Sequence, residues 1–261
     1  FREQNPNPIQ PVGLQHINLK QASQKLKRES EPKKDTPSIE ELQKNEASLA
    51  ESNFVHLHNH SQYSILQSTM SVQDLVNSAG KANMPAVALT DHANMMGAFH
   101  FVEAAKKYNQ SINNLAKEAA ENGEQFNQKT VKPIIGCEFF VCEDHTNKSQ
   151  KDNGYQIVLL AKNKNGYHNL AKMSSIGFTK GFYYVPRIDK KIIEQYKEDI
   201  IVLSGNTYGE IPNKMLNIGE KQAEESLVWW KNTFGDDFYI EIMRHGQENE
   251  DRANESLIRL A

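Results

Sequence analysis

Residues 54–60 read FVHLHNH, with histidines at three alternate positions, His56, His58 and His60. Side chains alternate between the two faces of a β-strand, so a strand here would point the three imidazoles to one side, with neighbouring rings about 6 to 7 Å apart. Histidine is the most common metal ligand in proteins. The run therefore predicts a strand that carries part of a metal site. A single histidine in its place would more often be a hydrogen-bonded core or surface residue than a metal ligand.

After this run, short apolar segments alternate with amphipathic segments. Six strands and six helices in succession favour an α/β fold with a parallel sheet, and the pattern leaves open whether the sheet is doubly wound or closed into a barrel. The polar segment 111–132 predicts a surface insertion that is helical in its first half. The predicted strands are 54–60, 86–90, 133–141, 155–161, 199–204 and 237–243, and the predicted helices are 71–82, 97–108, 165–176, 189–196, 219–233 and 247–260.

The first 53 residues have a different composition from the rest. Residues 2–53 contain no Phe, Tyr or Trp, and the stretch 20–46 is highly charged and contains two prolines. Such a stretch buries too little apolar surface to offset its chain entropy, so we interpret residues 1–53 as an unstructured charged linker. Because the chain begins with Phe1, we expect it to be a segment of a longer polypeptide.

Charge and composition exclude several classes of protein. The net charge of -3 gives no global electrostatic reason to bind nucleic acid or an anionic membrane, so a nucleic-acid role would be local or lie elsewhere in the polypeptide. No apolar run has the length of a membrane span and no signal peptide is present. Cys137 and Cys142 are spaced to face opposite sides of one strand, which predicts no disulfide and a cytoplasmic location.

Functional residues of parallel α/β folds gather at the carboxyl ends of strands, and partners for the histidines occur there. His92 follows the predicted strand 86–90, and Glu138 lies in the predicted strand 133–141. With His58 and His60 they form a nitrogen and oxygen donor set suited to zinc, manganese or iron, and a cluster of two or more such ions is suited to phosphoester hydrolysis. Asp91 is as well suited to orient His92 or cap a turn as to bind metal, and we expect His245 to be a turn residue.

Seven blocks of sequence resemble the PHP (polymerase and histidinol phosphatase) domain. They are similar in particular to the PHP domain that opens the alpha subunit of bacterial DNA polymerase III, a replicative C-family polymerase. The resemblance covers residues 54–261. The blocks lie at 54–64, 88–98 and 132–138, followed by LLAKN at 159–163, GFYYVPRID at 181–189, LSG at 203–205 and GEIP at 209–212.

The resemblance implies a distorted barrel of seven parallel strands. The last Asp-x-His ligand pair of the family lies on the seventh strand, and no such pair occurs between Gly246 and Ala261, so we expect the PHP domain to be incomplete at its C-terminus. The resemblance further implies template-directed DNA synthesis elsewhere in the polypeptide, with Mg²⁺, DNA and deoxynucleotides there. The implied partners are the rest of the polymerase, a sliding clamp and a proofreading exonuclease, and the linker would follow an exonuclease domain.

The resemblance assigns metal-ligand positions to His58, His60, His92 and Glu138. At three further ligand positions of the family this chain has amide side chains. Amides are weak metal ligands, so we expect a degenerate site for Zn²⁺ or Mn²⁺ in a domain that acts mainly as a structural platform. The alternatives are an active metal-dependent phosphoesterase or 3'-5' exonuclease, and a stand-alone histidinol-phosphatase-like enzyme, which the 181–189 block disfavours. The three amides are Gln67, Gln156 and Asn206.

Overall fold

The computed structural model describes residues 38, 40 and 44 and the continuous stretch 53–261. The chain separates into two units, Phe1–Ser48 and Leu49–Ala261. The linker predicted over residues 1–53 lies almost wholly outside the described residues, so it stays a prediction. From residue 53 onward the chain is an α/β structure, which confirms the predicted fold class.

Seven α-helices are present between residues 53 and 261. Two of them begin with a side-chain N-cap at a predicted helix start: the Ser71 hydroxyl accepts a hydrogen bond from the N–H of Asp74 at 3.0 Å, and Asp189 accepts the N–H of Ile192. No helix in this described stretch combines the length and apolar character that a membrane span requires. The helices are α1 (Val72–Lys81), α2 (Ala98–Asn122), α3 (Lys164–Thr179), α4 (Lys190–Tyr196), α5 (Glu210–Asn217), α6 (Glu220–Phe234) and α7 (Glu248–Leu260).

Six strands between residues 53 and 261 form one mixed sheet with the order β1-β2-β3-β5-β6. Strand β2 is the longest; its first four residues pair with β1 in parallel and its last three pair with β4 in parallel. Strand β3 is antiparallel to both of its neighbours, β2 and β5, and β5 pairs with β6 in parallel. The strands are β1 (Ala86–Leu89), β2 (Lys132–Cys142), β3 (Tyr155–Ala161), β4 (Arg187–Asp189), β5 (Ile200–Leu203) and β6 (Phe238–Tyr239).

The prediction of an all-parallel sheet is wrong. No helix separates β2 from β3, and the loop at 143–154 returns the chain so that β3 runs antiparallel. Three elements were not predicted: the three-residue strand β4, the helix α5 and a 3-10 helix at Gly235–Asp237. Residues 54–60 form no regular strand, and the strand order described here does not close into a ring, so the seven-stranded barrel stays a prediction.

The main core lies between the sheet and helices α3, α4, α5, α6 and α7. Trp230 is its largest fully buried side chain. Cys137 and Cys142 are buried free thiols, as predicted. The first half of the 111–132 segment is helical, as predicted, but it continues α2 without a break. This packing fixes the middle of β2, where Glu138 lies fully buried.

Candidate metal centre

The histidine run lies beside β1, held by backbone contacts outside the regular ladder. The carbonyl of His56 accepts the N–H of Ala88 at 2.9 Å, and the carbonyl of Asn59 accepts the N–H of Thr90 at 2.9 Å. The Asn59 side chain adds a hydrogen bond to the carbonyl of Ala88. This attachment places His58 and the following residues inside the fold. The expectation that all three imidazoles share one face is wrong for His56, which is exposed.

Glu138 is the hub of the candidate site. Its Oε2 atom lies 2.6 Å from His60 Nε2, 3.2 Å from His92 Nε2 and 3.4 Å from His58 Nε2. His92 follows β1, and its backbone bridges to Glu138 in parallel, so the pairing of β1 with β2 resumes at the site itself. The structure therefore brings together all four residues selected from the strand ends.

A second carboxylate, Glu241, completes the group. Its Oε1 atom lies 2.9 Å from His58 Nδ1, so His58 has one carboxylate at each ring nitrogen. The backbone N–H of Glu241 donates to the hydroxyl of Ser204, just after β5, which holds the residue at this edge. Glu241 was not predicted because it falls inside the predicted strand 237–243, and site residues were sought at strand ends. In the structure β6 ends at Tyr239, so Glu241 lies just after the strand end.

Asp91 is buried beneath the site and organises the turn after the histidine run. Its oxygens accept the N–H and hydroxyl of Ser61 at 2.7 and 2.8 Å and the hydroxyl of Ser64 at 2.7 Å. The Ser64 hydroxyl in turn accepts the N–H of His92 at 3.1 Å. These hydrogen bonds give Asp91 the predicted role of capping the turn and orienting His92 through Ser64.

The buried charges of the site pair with one another. Burial lowers the pKa of His58, but the hydrogen bonds with Glu138 and Glu241 outweigh it and raise the pKa from 6.5 to about 10. Burial raises the pKa of Glu138, but the hydrogen bonds with His58 and His60 outweigh it and lower the pKa from 4.5 to about 2. Burial lowers the pKa of His92, with the neighbouring imidazoles adding to the effect. Without a metal, Glu138 and His58 therefore form a buried ion pair at neutral pH.

The three amides that we predicted at further ligand positions do not join this group by hydrogen bonds within residues 53–261. Gln67 is exposed in the turn after Ser64. Gln156 lies in β3 opposite Phe140. Asn206 uses its side-chain oxygen to accept the N–H of Tyr208 at 2.9 Å within its own turn.

Two other clusters have structural explanations. The His145 imidazole contacts the carboxylate of Asp189, which also caps α4, so this group anchors the loop after β2 to the start of that helix. His245 pairs with Glu250 at 2.7 Å at the start of α7, which agrees with its expected turn role.

The donors at the candidate site fit a divalent ion. His92 Nδ1, Glu138 Oε1 and Glu241 Oε2 are buried without a hydrogen-bond partner among the described residues, and buried polar atoms of this kind indicate a missing ion or water. One donor atom each from His58, His60 and Glu138 lies within 4.8 Å of the others. Imidazole nitrogen with carboxylate oxygen is a donor set for zinc or manganese.

Comparison with known proteins adds an independent finding. The PHP domain family matches residues 56–245. The DNA polymerase III subunit alpha of Borreliella burgdorferi is 40% identical over 212 residues, which cover 80% of this chain and 17% of that protein. The same subunit of Treponema pallidum is 37% identical, with 82% and 17% covered, and that of Chlamydia muridarum is 35% identical, with 76% and 14% covered. The chain thus spans less than a fifth of the length of these relatives.

Proposed function

The chain belongs to the PHP domain family, and on that premise we propose that it is the PHP portion of a replicative DNA polymerase alpha subunit. The similarity of 35 to 40% to three polymerase alpha subunits supports this proposal, because it extends over three quarters or more of the chain. In that setting the nucleotidyl transfer, with its Mg²⁺, deoxynucleotides and DNA, takes place outside this segment. The sliding clamp and the proofreading exonuclease are then partners of the whole polymerase in the cytoplasm.

Within that polypeptide this domain serves mainly as a structural platform, with a metal site reduced from a cluster to donors for one ion. The observation that carries this proposal is the closed arrangement around Glu138, in which one carboxylate oxygen contacts three imidazoles at 2.6 to 3.4 Å. Such a group satisfies most of its own charge, so it folds without a metal. Donors for further ions are missing where the family has ligands, since those positions carry amides.

One ion would be held by His58, His60 and Glu138, with His92 adjacent. A bound divalent ion would supply Lewis acidity and lower the pKa of a water. The carboxylate of Glu241 orients the imidazole of His58 through its second nitrogen, the arrangement that fixes the tautomer of metal-binding histidines.

A second candidate function is a metal-dependent phosphoesterase, including a 3'-5' exonuclease. The specific observation in its favour is the set of three buried donor atoms without partners, on His92, Glu138 and Glu241. These atoms leave room for more than one coordination bond at the site. The two candidates differ in how many ions are bound and in whether DNA is hydrolysed.

Metal content and nuclease activity of the purified full-length polymerase separate the two. We expect at most one zinc or manganese ion per chain at this site and no metal-stimulated nuclease activity. Two or more bound ions, with a nuclease activity that His60→Ala removes and His56→Ala retains, would overturn the platform and establish the second candidate. His56 is the matched control because it lies in the same run but is exposed and outside the group around Glu138.

A further inference from the structure

A cavity that shares no residue with the candidate metal centre is lined by lysines. It has a volume of about 590 Å³ and lies between the end of β2, the loop at 151–154, the start of β3, the start of α4 and the helix α5. Four lysines and three acids line it. The lysines are Lys151, Lys190, Lys191 and Lys214.

Two of these lysines are fixed in position by one buried carboxylate. Lys190 Nζ and Lys214 Nζ lie 2.9 and 2.8 Å from the same oxygen of Glu210, whose side chain is only 5% exposed. The indole N–H of Trp230 donates to the other oxygen at 2.8 Å, and Ser226 donates to the first. One negative charge is therefore shared by two ammonium groups, and the cluster has an excess of positive charge.

Aromatic rings also contact the same two ammonium groups. Lys190 Nζ lies 4.5 Å from the ring centre of Trp229 and 5.7 Å from that of Trp230. Lys214 Nζ lies 5.6 Å from the ring centre of Tyr155. Both lysine side chains are half-buried, so their positions are restricted far more than those of surface lysines. Such restriction lowers the entropy that is lost when a ligand binds.

The ammonium groups of Lys190 and Lys214 have N–H donors without a hydrogen-bond partner within residues 53–261. Lys190 donates one hydrogen bond and Lys214 two within residues 53–261, and an ammonium group has three donors. The nearest acid of the loop, Asp152, already accepts backbone N–H groups from Glu143 and Gly154 on its two oxygens. The cavity thus presents fixed, unpaired N–H donors and surplus positive charge.

We propose that this cavity is a binding site for a phosphate group, either free or as a terminal phosphate monoester. Lys190 and Lys214 would donate to the phosphate oxygens while Glu210 keeps their ammonium groups side by side. Lys151 and Lys191 add positive charge at the rim of the cavity. Lysine is a common phosphate ligand because it supplies a compact charge with several donors.

The chain contains a reporter for this site. Its only two tryptophans are Trp229 and Trp230, and both rings lie against Lys190. Titration of the 261-residue chain with sodium phosphate, at ionic strength held constant with sodium chloride, should change the tryptophan fluorescence in a saturable way. Lys190→Met, which keeps the apolar stem over Trp229, should weaken binding about tenfold or more. Lys190→Arg should retain it.

Controls distinguish a site from general attraction to a charged surface. Lys221→Met, an exposed position on α6 outside the cavity, should bind like the parent chain. Glu210 stays paired with Lys214 in Lys190→Met, so we expect that variant to fold, and circular dichroism checks it. If it does not fold, Lys191→Met, an exposed lysine outside the Glu210 pairing, provides the test and should weaken binding about threefold.

Ribose 5-phosphate in place of phosphate identifies the source of the ligand. Equal or tighter binding of the sugar phosphate assigns the site to a monoester, and binding of inorganic phosphate alone assigns it to the free anion. A response that does not saturate, or one that is equal in the parent chain and in Lys190→Met, would overturn the proposal. If Lys190→Met does not fold, the same comparison is made with Lys191→Met.

Discussion

Replacing Glu138 by glutamine keeps the shape of the side chain and removes the charge that three imidazoles share. The fall of the Glu138 pKa from 4.5 to about 2 corresponds to about 3 kcal/mol of stabilisation at neutral pH. The raised pKa of His58 reflects the same ion pair, so its contribution to stability is not added to that of Glu138. We expect Glu138→Gln to lower the free energy of unfolding of the metal-free chain by about 3 kcal/mol.

The pH dependence gives this prediction its sign. The Glu138 pKa is lowered, so its contribution is present above pH 4.5 and is lost as the pH falls toward about 2. The His58 pKa is raised, so its contribution is present below pH 6.5 and is lost as the pH rises through about 10. The difference between the parent chain and Glu138→Gln should therefore be greatest between pH 4.5 and 6.5 and should shrink toward both extremes.

Urea unfolding in the presence of a chelator, at pH 6 and at pH 9.5, measures this difference, and NMR titration measures the pKa of His58 directly. Glu143→Gln is the matched control, since Glu143 follows the same strand but is exposed. The reasoning is refuted if Glu138→Gln and Glu143→Gln cost the same, or if the loss is independent of pH while His58 keeps its raised pKa.

Three further predictions follow from other contacts. Glu241→Gln should weaken zinc binding about 10- to 100-fold by releasing the orientation of the His58 ring, whereas the exposed Glu248→Gln should not; competition titration with a chelating dye decides. Burial raises the pKa of Glu210, but its two lysine partners outweigh this effect and lower it. The contribution of Glu210 to stability is therefore present above pH 4.5 and is lost in acid. Glu210→Gln should flatten the acid limb of a plot of melting temperature against pH. Gly154→Ala should lower the free energy of urea unfolding by at least 2 kcal/mol, because the added carbon would lie 2.4 Å from backbone atoms at a positive φ. Gly123→Ala, also at a positive φ but in open space, should lower it by about 1 kcal/mol. Equal losses in the two variants would exclude the steric explanation.

Much of the architecture was predictable because local patterns determine individual elements. The strand predicted over 155–161 matches β3 at both ends, and the apolar run at 133–141 lies within β2. Both segments are short apolar runs that contain β-branched and aromatic residues, a length and composition that favour a buried strand over a helix. Direction was not predictable, because it depends on whether the connection crosses the sheet or turns back, and the loop between β2 and β3 turns back.

The candidate site was likewise predictable from the sequence only in part. The sequence by itself determined the family and selected His58, His60, His92 and Glu138, because metal-ligating side chains at consecutive strand ends can be read from order along the chain. Only the tertiary structure decided that one oxygen of Glu138 contacts three imidazoles and that His56 lies outside the group. It also decided that Glu241 contacts His58 across 183 residues of chain. Such contacts depend on the packing of distant strands at distances of a few ångströms, which no local pattern of residues encodes.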